Sequence, residues 1–278
     1  MAINHSNVAV IMAAYNAEAT LAAAVRSVLA STTPVHLYIV DDASQLPAAQ
    51  LLAEQIGDLP DNVTVLRSDS NIGPAGARNM ALRRIIESGH QYAAVLDADD
   101  LAAPNRFKKQ AAFLEKNPNV AAVGTWGNAV HDTTLALINT ETTPVSPEEV
   151  RRALCINSCI INTSVMFKVA ALEQVGVWNE SMYTAEDYDL FCRLIRFYDL
   201  ANLPEYLVDF RLSRGGISLT GQRAQRYARL NVQLRNLRFR FTYWQAWAGI
   251  VKTLILLAAP TIMIFKIKSF MKGDLIRS

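Results

Sequence analysis

The sequence predicts an α/β fold: a mostly parallel sheet with helices on both faces, followed by a basic and apolar helical extension. Three observations lead there. Short apolar, β-rich runs alternate with stretches of helical periodicity over the first 124 residues, the signature of successive βαβ units. At 278 residues and 51% hydrophobic composition, the chain can enclose one large core plus an appendage. Positive charge is concentrated at the C-terminal end: from Arg223 onward there are eleven Lys or Arg and a single acid, Asp274, a net +10 against −8 for everything before.

Element by element, Val8 to Ala13 reads as a strand and Ala17 to Leu29 as a helix. Val35 to Val40 is followed by a helix over Leu46 to Ile56, Val63 to Leu66 by one over Ala75 to Ser88, and Tyr92 to Leu96 by one over Pro104 to Glu115. Val120 to Gly124 is a fifth strand. Parallel sheets of this kind bind ligands outside the carboxyl ends of their strands, and each strand end here carries chemistry. The first ends in Ala14-Tyr15-Asn16, the second in Asp41-Asp42-Ala43-Ser44, and the third in the loop that leads through Asn71, Gly73 and Gly76 to Arg78 and Asn79. The fourth ends in Asp97-Ala98-Asp99-Asp100.

That acidic turn is the strongest signal. Three carboxylates in four residues after a buried strand are costly unless a cation neutralises them, and a hard divalent ion with oxygen ligands leaves positions for substrate phosphates. An acidic strand-to-helix turn without metal is the plainer alternative. Tyr15 can stack on a base, Asp42 can accept hydrogen bonds from a base or ribose, and Arg78 can pair with phosphate. Equally, Asn16 can cap the helix from Ala17, Asp41-Asp42 can close a turn, and Gly73 and Gly76 can serve the backbone alone. Four such segments at four successive strand ends favour a nucleotide and metal site.

Taken together and in order, Ala14-Tyr15-Asn16, Val40-Asp41-Asp42-Ala43-Ser44, Asn71-x-Gly73 with Ala77-Arg78-Asn79, and Asp97-x-Asp99-Asp100 resemble the inverting family-two glycosyltransferases of GT-A fold, bacterial surface-polysaccharide type, over roughly the first four-fifths of the chain. The resemblance implies a GT-A Rossmann-like sheet whose first half binds a nucleotide sugar and a divalent cation, manganese or magnesium. Tyr15 and Asp42 would then contact the nucleobase, Arg78 the base or diphosphate, Asp97 the ribose and Asp99 the metal, with Gly73 in the nucleotide-binding loop and Asp100 as a second metal contact. Uridine is the expected base because it is common in the family.

Inversion by single displacement needs a general base on the acceptor side. Glu186-Asp187-Tyr188-Asp189 opens a helix with Leu190, Phe191, Leu194 and Ile195 at helical spacing, and Asp187 matches the family's base. A helix start favours the carboxylate form, so Asp187 is expected to stay ionised unless burial works the other way. The acids can also simply favour a helix N-terminus. Upstream, Asn162 to Phe167 reads as a strand and Leu172 to Trp178 as a short helix and turn; Trp178 can stack on a sugar or join the core. Asp209 to Ser218 resembles the family's flexible arm, with Ser213 where His is frequent; Arg211 and Arg214 can clamp phosphate or be solvated.

Arg223 to Arg240, Trp244, Trp247, the stretch Gly249 to Phe265, apolar except for Lys252 and two Thr, and Lys266, Lys268 and Lys272 point to an anionic membrane surface; because Lys252 and Pro260 interrupt the run, a monotopic or shallow re-entrant helix is expected rather than a span. A hairpin packed on the enzyme is the alternative; no nucleic-acid motif accompanies the arginines. No signal peptide is expected before Val8, and Cys155, Cys159 and Cys192 form neither a disulfide framework nor a zinc pattern, so the cytoplasmic side of the inner membrane is the expected location. The expected division is 1–104 for nucleotide sugar and metal, 105–221 for the acceptor side with the base, and 222–278 for the membrane-associating tail. The expected reaction moves one sugar to a lipid-linked or polysaccharide acceptor. A metal-dependent nucleotidyltransferase and a non-catalytic glycan binder are the alternatives.

Overall fold

Four parallel strands build the first half of the sheet: β1 (Val8–Ala14), β2 (His36–Asp41), β3 (Val63–Arg67) and β4 (Tyr92–Val95), in the order β3-β2-β1-β4. The order reverses direction at β1, so a crevice opens between the carboxyl ends of β1 and β4, the position where open α/β sheets receive ligands. The connections are α1 (Leu21–Leu29), α2 (Ala48–Gln55) and α3 (Gly73–Glu87). The computed structural model describes residues 7–182, 184–212, 222–237 and 243–258.

Beyond β4 the sheet becomes mixed. β5 (Leu101–Ala102), α4 (Arg106–Lys116), β6 (Val120–His131), β7 (Leu137–Glu141) and α5 (Pro147–Ala153) lead to a 3-10 turn over Asn162–Ser164. Next come β8 (Met166–Lys168), α6 (Val169–Val175), α7 (Glu186–Leu194) and β9 (Asp199–Leu212). β8 runs antiparallel between β4 and β6, β9 lies parallel to β6, and β5 closes the edge antiparallel to β9. One nine-stranded sheet therefore carries both halves of the chain.

Alternation along β1 shows why helices cover both faces. Ala9 and Ile11 point into a core with Ala81, Leu82 and Ile85 of α3 and Leu190 and Phe191 of α7. Val8, Val10 and Met12 point into a second core with Leu21 and Val25 of α1, Leu52 of α2 and Phe107 of α4.

Three elements depart from the sequence pattern. The first helix starts at Leu21 rather than Ala17, after a turn in which the N–H groups of Thr20 and Leu21 donate to Ala17 O. Asn162 to Ser164 is a 3-10 turn, not strand, because Ser164 Oγ donates to Ile161 O at 2.7 Å; a side chain bonding to its own backbone competes with a ladder. β6 extends to His131, well past Gly124: a Cβ at Gly127 would stand 2.9 Å from Val208, so a glycine beyond the expected strand end permits close approach of β9.

The tail forms two helices, α8 (Gln222–Leu237) and α9 (Trp244–Ala258). They pack on each other and on the enzyme: Arg226 Nη1 donates to Leu256 O at 2.8 Å, Gln233 Nε2 to Ile156 O at 2.9 Å, and an added Cβ at Gly249 would meet Cys155 O at 2.5 Å. The other side of α9 leaves Trp244, Trp247, Val251, Leu254 and Ile255 exposed. No helix among the described residues is long and apolar enough to cross a membrane. The arm residues Ser213, Arg214, Gly215, Gly216 and Ser218, the arginines Arg238 and Arg240, and Pro260, Phe265, Lys266, Lys268 and Lys272 lie outside the described residues.

Candidate active site

A cavity of about 940 Å³ opens at the crevice between β1 and β4. It lies within the size range of small-molecule sites. Tyr15 and Asn16 enter from the end of β1, Asp97, Asp99 and Asp100 from the end of β4, and Arg78 from the first turns of α3. Asp187 and Tyr188 face it from α7, Arg211 from β9, and Gln225 and Arg229 from α8.

Of the residues expected at the site, Tyr15, Arg78, Asp97, Asp99, Asp100 and Asp187 meet here, whereas Asp42 and Gly73 do not line the cavity. Buried Asp42 spends its carboxylate on the chain: Oδ1 accepts from Ile72 N–H at 2.7 Å and Ser68 Oγ at 3.1 Å, and Oδ2 from Gly73 N–H at 2.9 Å. These bonds fix the loop that launches α3, where Gly73 adopts φ +75. Asp41 likewise accepts from the N–H groups of Ser44 and Ala48 and pairs with Arg67; despite burial, these bonds hold its carboxyl below the ordinary value. Asn16 does not cap α1. Its N–H donates to Ser44 Oγ at 3.0 Å and its Oδ1 accepts from Gln45 N–H at 2.9 Å, which joins the ends of β1 and β2. Tyr15 is left exposed to the cavity, 55% accessible, as a stacking surface requires.

Arg78 ties the two sides together. Nη2 donates to Asp97 Oδ1 at 3.1 Å, while Nη1 donates to Glu186 Oε1 at 3.0 Å and Asp187 Oδ1 at 3.3 Å. Burial disfavours its charge, but the carboxylates of Asp187, Asp97 and Glu186 outweigh burial and raise its pKa. A guanidinium expected to meet base or phosphate thus has both terminal nitrogens on protein carboxylates.

Asp187 is held from a second direction by Trp178, whose Nε1 donates to Oδ1 at 2.7 Å. Trp178 is buried, edge-on to Phe167 with ring centroids 5.6 Å apart, and offers no face to a sugar. Asn79 fixes Trp178 in turn, its Nδ2 donating to Trp178 O at 2.8 Å and its Oδ1 accepting from Trp178 N–H at 3.1 Å. The helix-start effect expected to keep Asp187 ionised is overridden. Desolvation by burial, countered by Arg78 and Trp178 but reinforced by Glu186 and Asp97, pushes its carboxyl up to about 7. Ala185, just before α7, takes a left-handed φ of 63, which a non-glycine residue adopts only under constraint.

At the acidic turn the carboxylates divide. Asp100 is buried, and its Oδ1 accepts from Arg211 N–H at 2.9 Å while Arg211 Nε donates to Asp99 O at 2.6 Å, so this pair anchors the end of β9. Asp99 is exposed to the cavity. Burial within the turn and the neighbouring acids raise both carboxyls, Asp100 well above the ordinary range. Beneath them lies Arg106, fully buried, with Nη2 donating to Val95 O at 2.7 Å and Nη1 unpaired among the described residues. Burial lowers its pKa to about 9 against the pull of Asp100 and Asp97. Among the described residues no three His, Cys, Asp or Glu side chains form a metal site by themselves.

Sequence reasoning gave no individual site role to Arg106, Asn79, Glu186 or Arg229. Arg106 and Gln110, bonded at 3.0 Å, had an i,i+4 spacing that could have marked them as a buried polar pair, but the others depend on elements remote in sequence.

The glycosyl transferase family 2 profile matches residues 9–176, from β1 through the end of α6. An uncharacterized glycosyltransferase of Haemophilus influenzae is 26% identical over 242 residues, covering 84% of this chain and 73% of that protein. The succinoglycan biosynthesis protein ExoU of Rhizobium meliloti is 30% identical over 204 residues, 68% of this chain and 57% of that one. The structure of S. aureus TarS residues 1-349 in complex with UDP superposes with a TM-score of 0.62 at 18% identity; 83% of this chain covers 65% of it, less than two thirds. With strand ends, cavity and profile all in register, the chain belongs to glycosyl transferase family 2.

Proposed function

We propose that the protein transfers one sugar from a nucleotide-sugar donor, a UDP-sugar, to a hydroxyl of a lipid-linked or polysaccharide acceptor, with inversion at the anomeric carbon. The observation that carries this reading is Asp187: a carboxyl near pKa 7, pinned by Trp178 and Arg78, with 19% of its side chain open to the cavity that Tyr15 and the acidic turn also line. A base is most effective with a pKa near the working pH. Asp187 takes the proton of the acceptor hydroxyl as that oxygen bonds to the anomeric carbon, and the nucleoside diphosphate leaves with the electrons of the broken bond. UDP in the TarS structure, whose fold is shared, supports the choice of base and of diphosphate.

Tyr15 stacks on the nucleobase and Asp97, 34% accessible, reaches the ribose. Asp99, open to the cavity, with Asp100 behind it, suits manganese or magnesium: two hard oxygen donors whose ionised forms are disfavoured until a cation arrives, in a site where phosphates can complete the coordination. When bound, such an ion offsets the charge of the departing diphosphate. Arg78 keeps Asp97 and Asp187 at fixed separation instead of gripping the substrate. Residues 1–104 thus serve the nucleotide sugar and 105–221 the acceptor. The exposed apolar side of α9, with Lys252 on the same helix, supports peripheral attachment at the cytoplasmic face of a bacterial inner membrane, and ExoU's succinoglycan role supports cell-surface glycan assembly.

The test is incubation of the full chain with a panel of UDP-sugars, manganese and bacterial membrane lipids, with phosphorus NMR for the leaving group and proton NMR for the new linkage. Release of nucleoside diphosphate with an inverted anomeric centre is expected. Release of pyrophosphate would overturn the assignment in favour of nucleotidyl transfer, and retention would remove Asp187 as base.

A further inference from the structure

We propose that Arg229 is the anchor for the phosphate of a lipid-linked acceptor. The proposal rests on the glycosyltransferase reading above and names the acceptor's chemistry.

α8 uses one face throughout. Gln225, Arg229, Val232, Gln233 and Asn236 fall at helical spacing on the side turned to the enzyme. The second half of that face is docked: Val232 lies in the same core as α7, Gln233 bonds to Ile156 O, and Arg196 Nη2 donates to Asn236 Oδ1 at 2.5 Å. The first half, Gln225 and Arg229, continues along the same line into the cavity wall beside Asp187 and Tyr188. Docking of one half therefore fixes where the other half points.

Arg229 is half-buried, and among the described residues it forms no ion pair with a carboxylate. The contrast with Arg78 and Arg193, each paired with acids, is direct. A cation partly removed from water without a counterion is unfavourable until an anion is supplied, and here Arg226 adds to the positive charge. Arginine's planar fork suits phosphate oxygens. The sugar donor's diphosphate is assigned above to the acidic turn at the end of β4, whereas Arg229 enters the cavity from α8 near Tyr188, the neighbour of the base. An anion at Arg229 therefore falls beside the base and on an element other than the donor's strand ends, and we assign it to the acceptor.

The partner helix indicates which acceptor. Through the Arg226 bond to Leu256 O, α8 is joined to α9, whose Trp244, Trp247, Val251, Leu254 and Ile255 make an exposed apolar stripe with Lys252 beside it. Interfacial tryptophans on an apolar stripe flanked by basic residues fit the boundary of an anionic bilayer. One hairpin thus offers a surface for lipid and, from its inner side, a cation for the phosphate that joins lipid to sugar.

The experiment is calorimetric titration of the detergent-solubilised full chain with farnesyl diphosphate, farnesol and inorganic diphosphate, with UDP and manganese at saturation and again without them. UDP affinity is measured separately for wild type, Arg229→Gln and Arg229→Lys. Farnesyl diphosphate is expected to bind at least tenfold more tightly than either comparison compound. Arg229→Gln should lose that margin, Arg229→Lys should keep most of it, and both should bind UDP within twofold of wild type. A margin that survives in Arg229→Gln, or is missing in wild type, overturns the proposal. A loss of UDP affinity in Arg229→Gln also overturns it, by assigning the residue to the sugar donor. Affinity for inorganic diphosphate equal to that for farnesyl diphosphate removes the lipid. Failure of wild type to bind UDP counts against the glycosyltransferase reading alone, because the titrations without nucleotide still report on Arg229.

Discussion

The indole N–H of Trp178 donates to Asp187 Oδ1 at 2.7 Å, and this bond aims the carboxylate that faces the cavity and lowers its pKa against the larger, opposing effect of burial. Trp178 is itself locked by Asn79 and by Phe167, so a residue on α3 positions a residue on α7 through a loop between them.

Replacement of Asp187 by Asn is expected to cut kcat by about a hundredfold or more, the scale of a lost general base, with UDP affinity within about twofold of wild type. In the proposed mechanism the ionised form is the base, so with a carboxyl near 7 kcat/KM should fall about tenfold per pH unit below that value and level off above it. A rate independent of pH between 5 and 8 would place the base elsewhere.

Trp178→Phe keeps an aromatic ring beside Phe167 and removes only the N–H. Since that bond lowers the Asp187 pKa, its loss should move the acid limb of the pH profile upward by about one unit, the worth of a hydrogen bond to a charged group. An unmoved limb with intact folding would show the bond to be merely structural.

Arg78→Met leaves Asp97, Glu186 and Asp187 without their shared cation. Removal of one partner from a buried charge cluster typically costs about 3–5 kcal/mol, which denaturant unfolding would register. Adding Glu186→Gln should recover part of the loss. No recovery would mean that Arg78 acts through packing.

For the acidic turn the sign follows from the carboxyls. Asp99 and Asp100 are raised in the fold, so without metal the folded state holds protons that the unfolded state has released, and this contribution to stability is lost as pH rises from the ordinary value of 3.8 through the raised ones. A bound dication reverses the preference. The melting temperature gained from manganese plus UDP should therefore grow with pH, and Asp99→Ala should abolish the gain. A gain unchanged by Asp99→Ala would remove the residue from the site.

Gly249→Ala places a methyl 2.5 Å from Cys155 O and 2.9 Å from Ile156 Cα, both backbone atoms that cannot swing aside. The expected cost is about 1–3 kcal/mol of overpacking, read as faster proteolysis between α8 and α9. Unchanged proteolysis would show that α9 docks by another face.

The sequence by itself determined the alternation of strands and helices, because burial periodicity is local: β1 to β4 and α2 to α4 lie within a few residues of their pattern. It also determined that Tyr15, Asp97 and Asp99 would share a site, because a parallel sheet brings its strand ends to one edge whatever the details, whereas Asp187 was expected there from the family resemblance. Only the tertiary structure decided what each carboxylate is bonded to. Asp42 looks as available as Asp99 in the chain, yet backbone N–H groups 30 and 31 positions away take both its oxygens, while Asp100 gives Oδ1 to a backbone N–H 111 positions away. Asp187 stands at a helix start that should keep it acidic, yet the desolvation of a packed site outweighs the helix and raises it to about 7. Helix dipoles and caps act over one turn and can be read from neighbours in sequence. Burial and counterions depend on which remote elements meet, and folding alone brings those together.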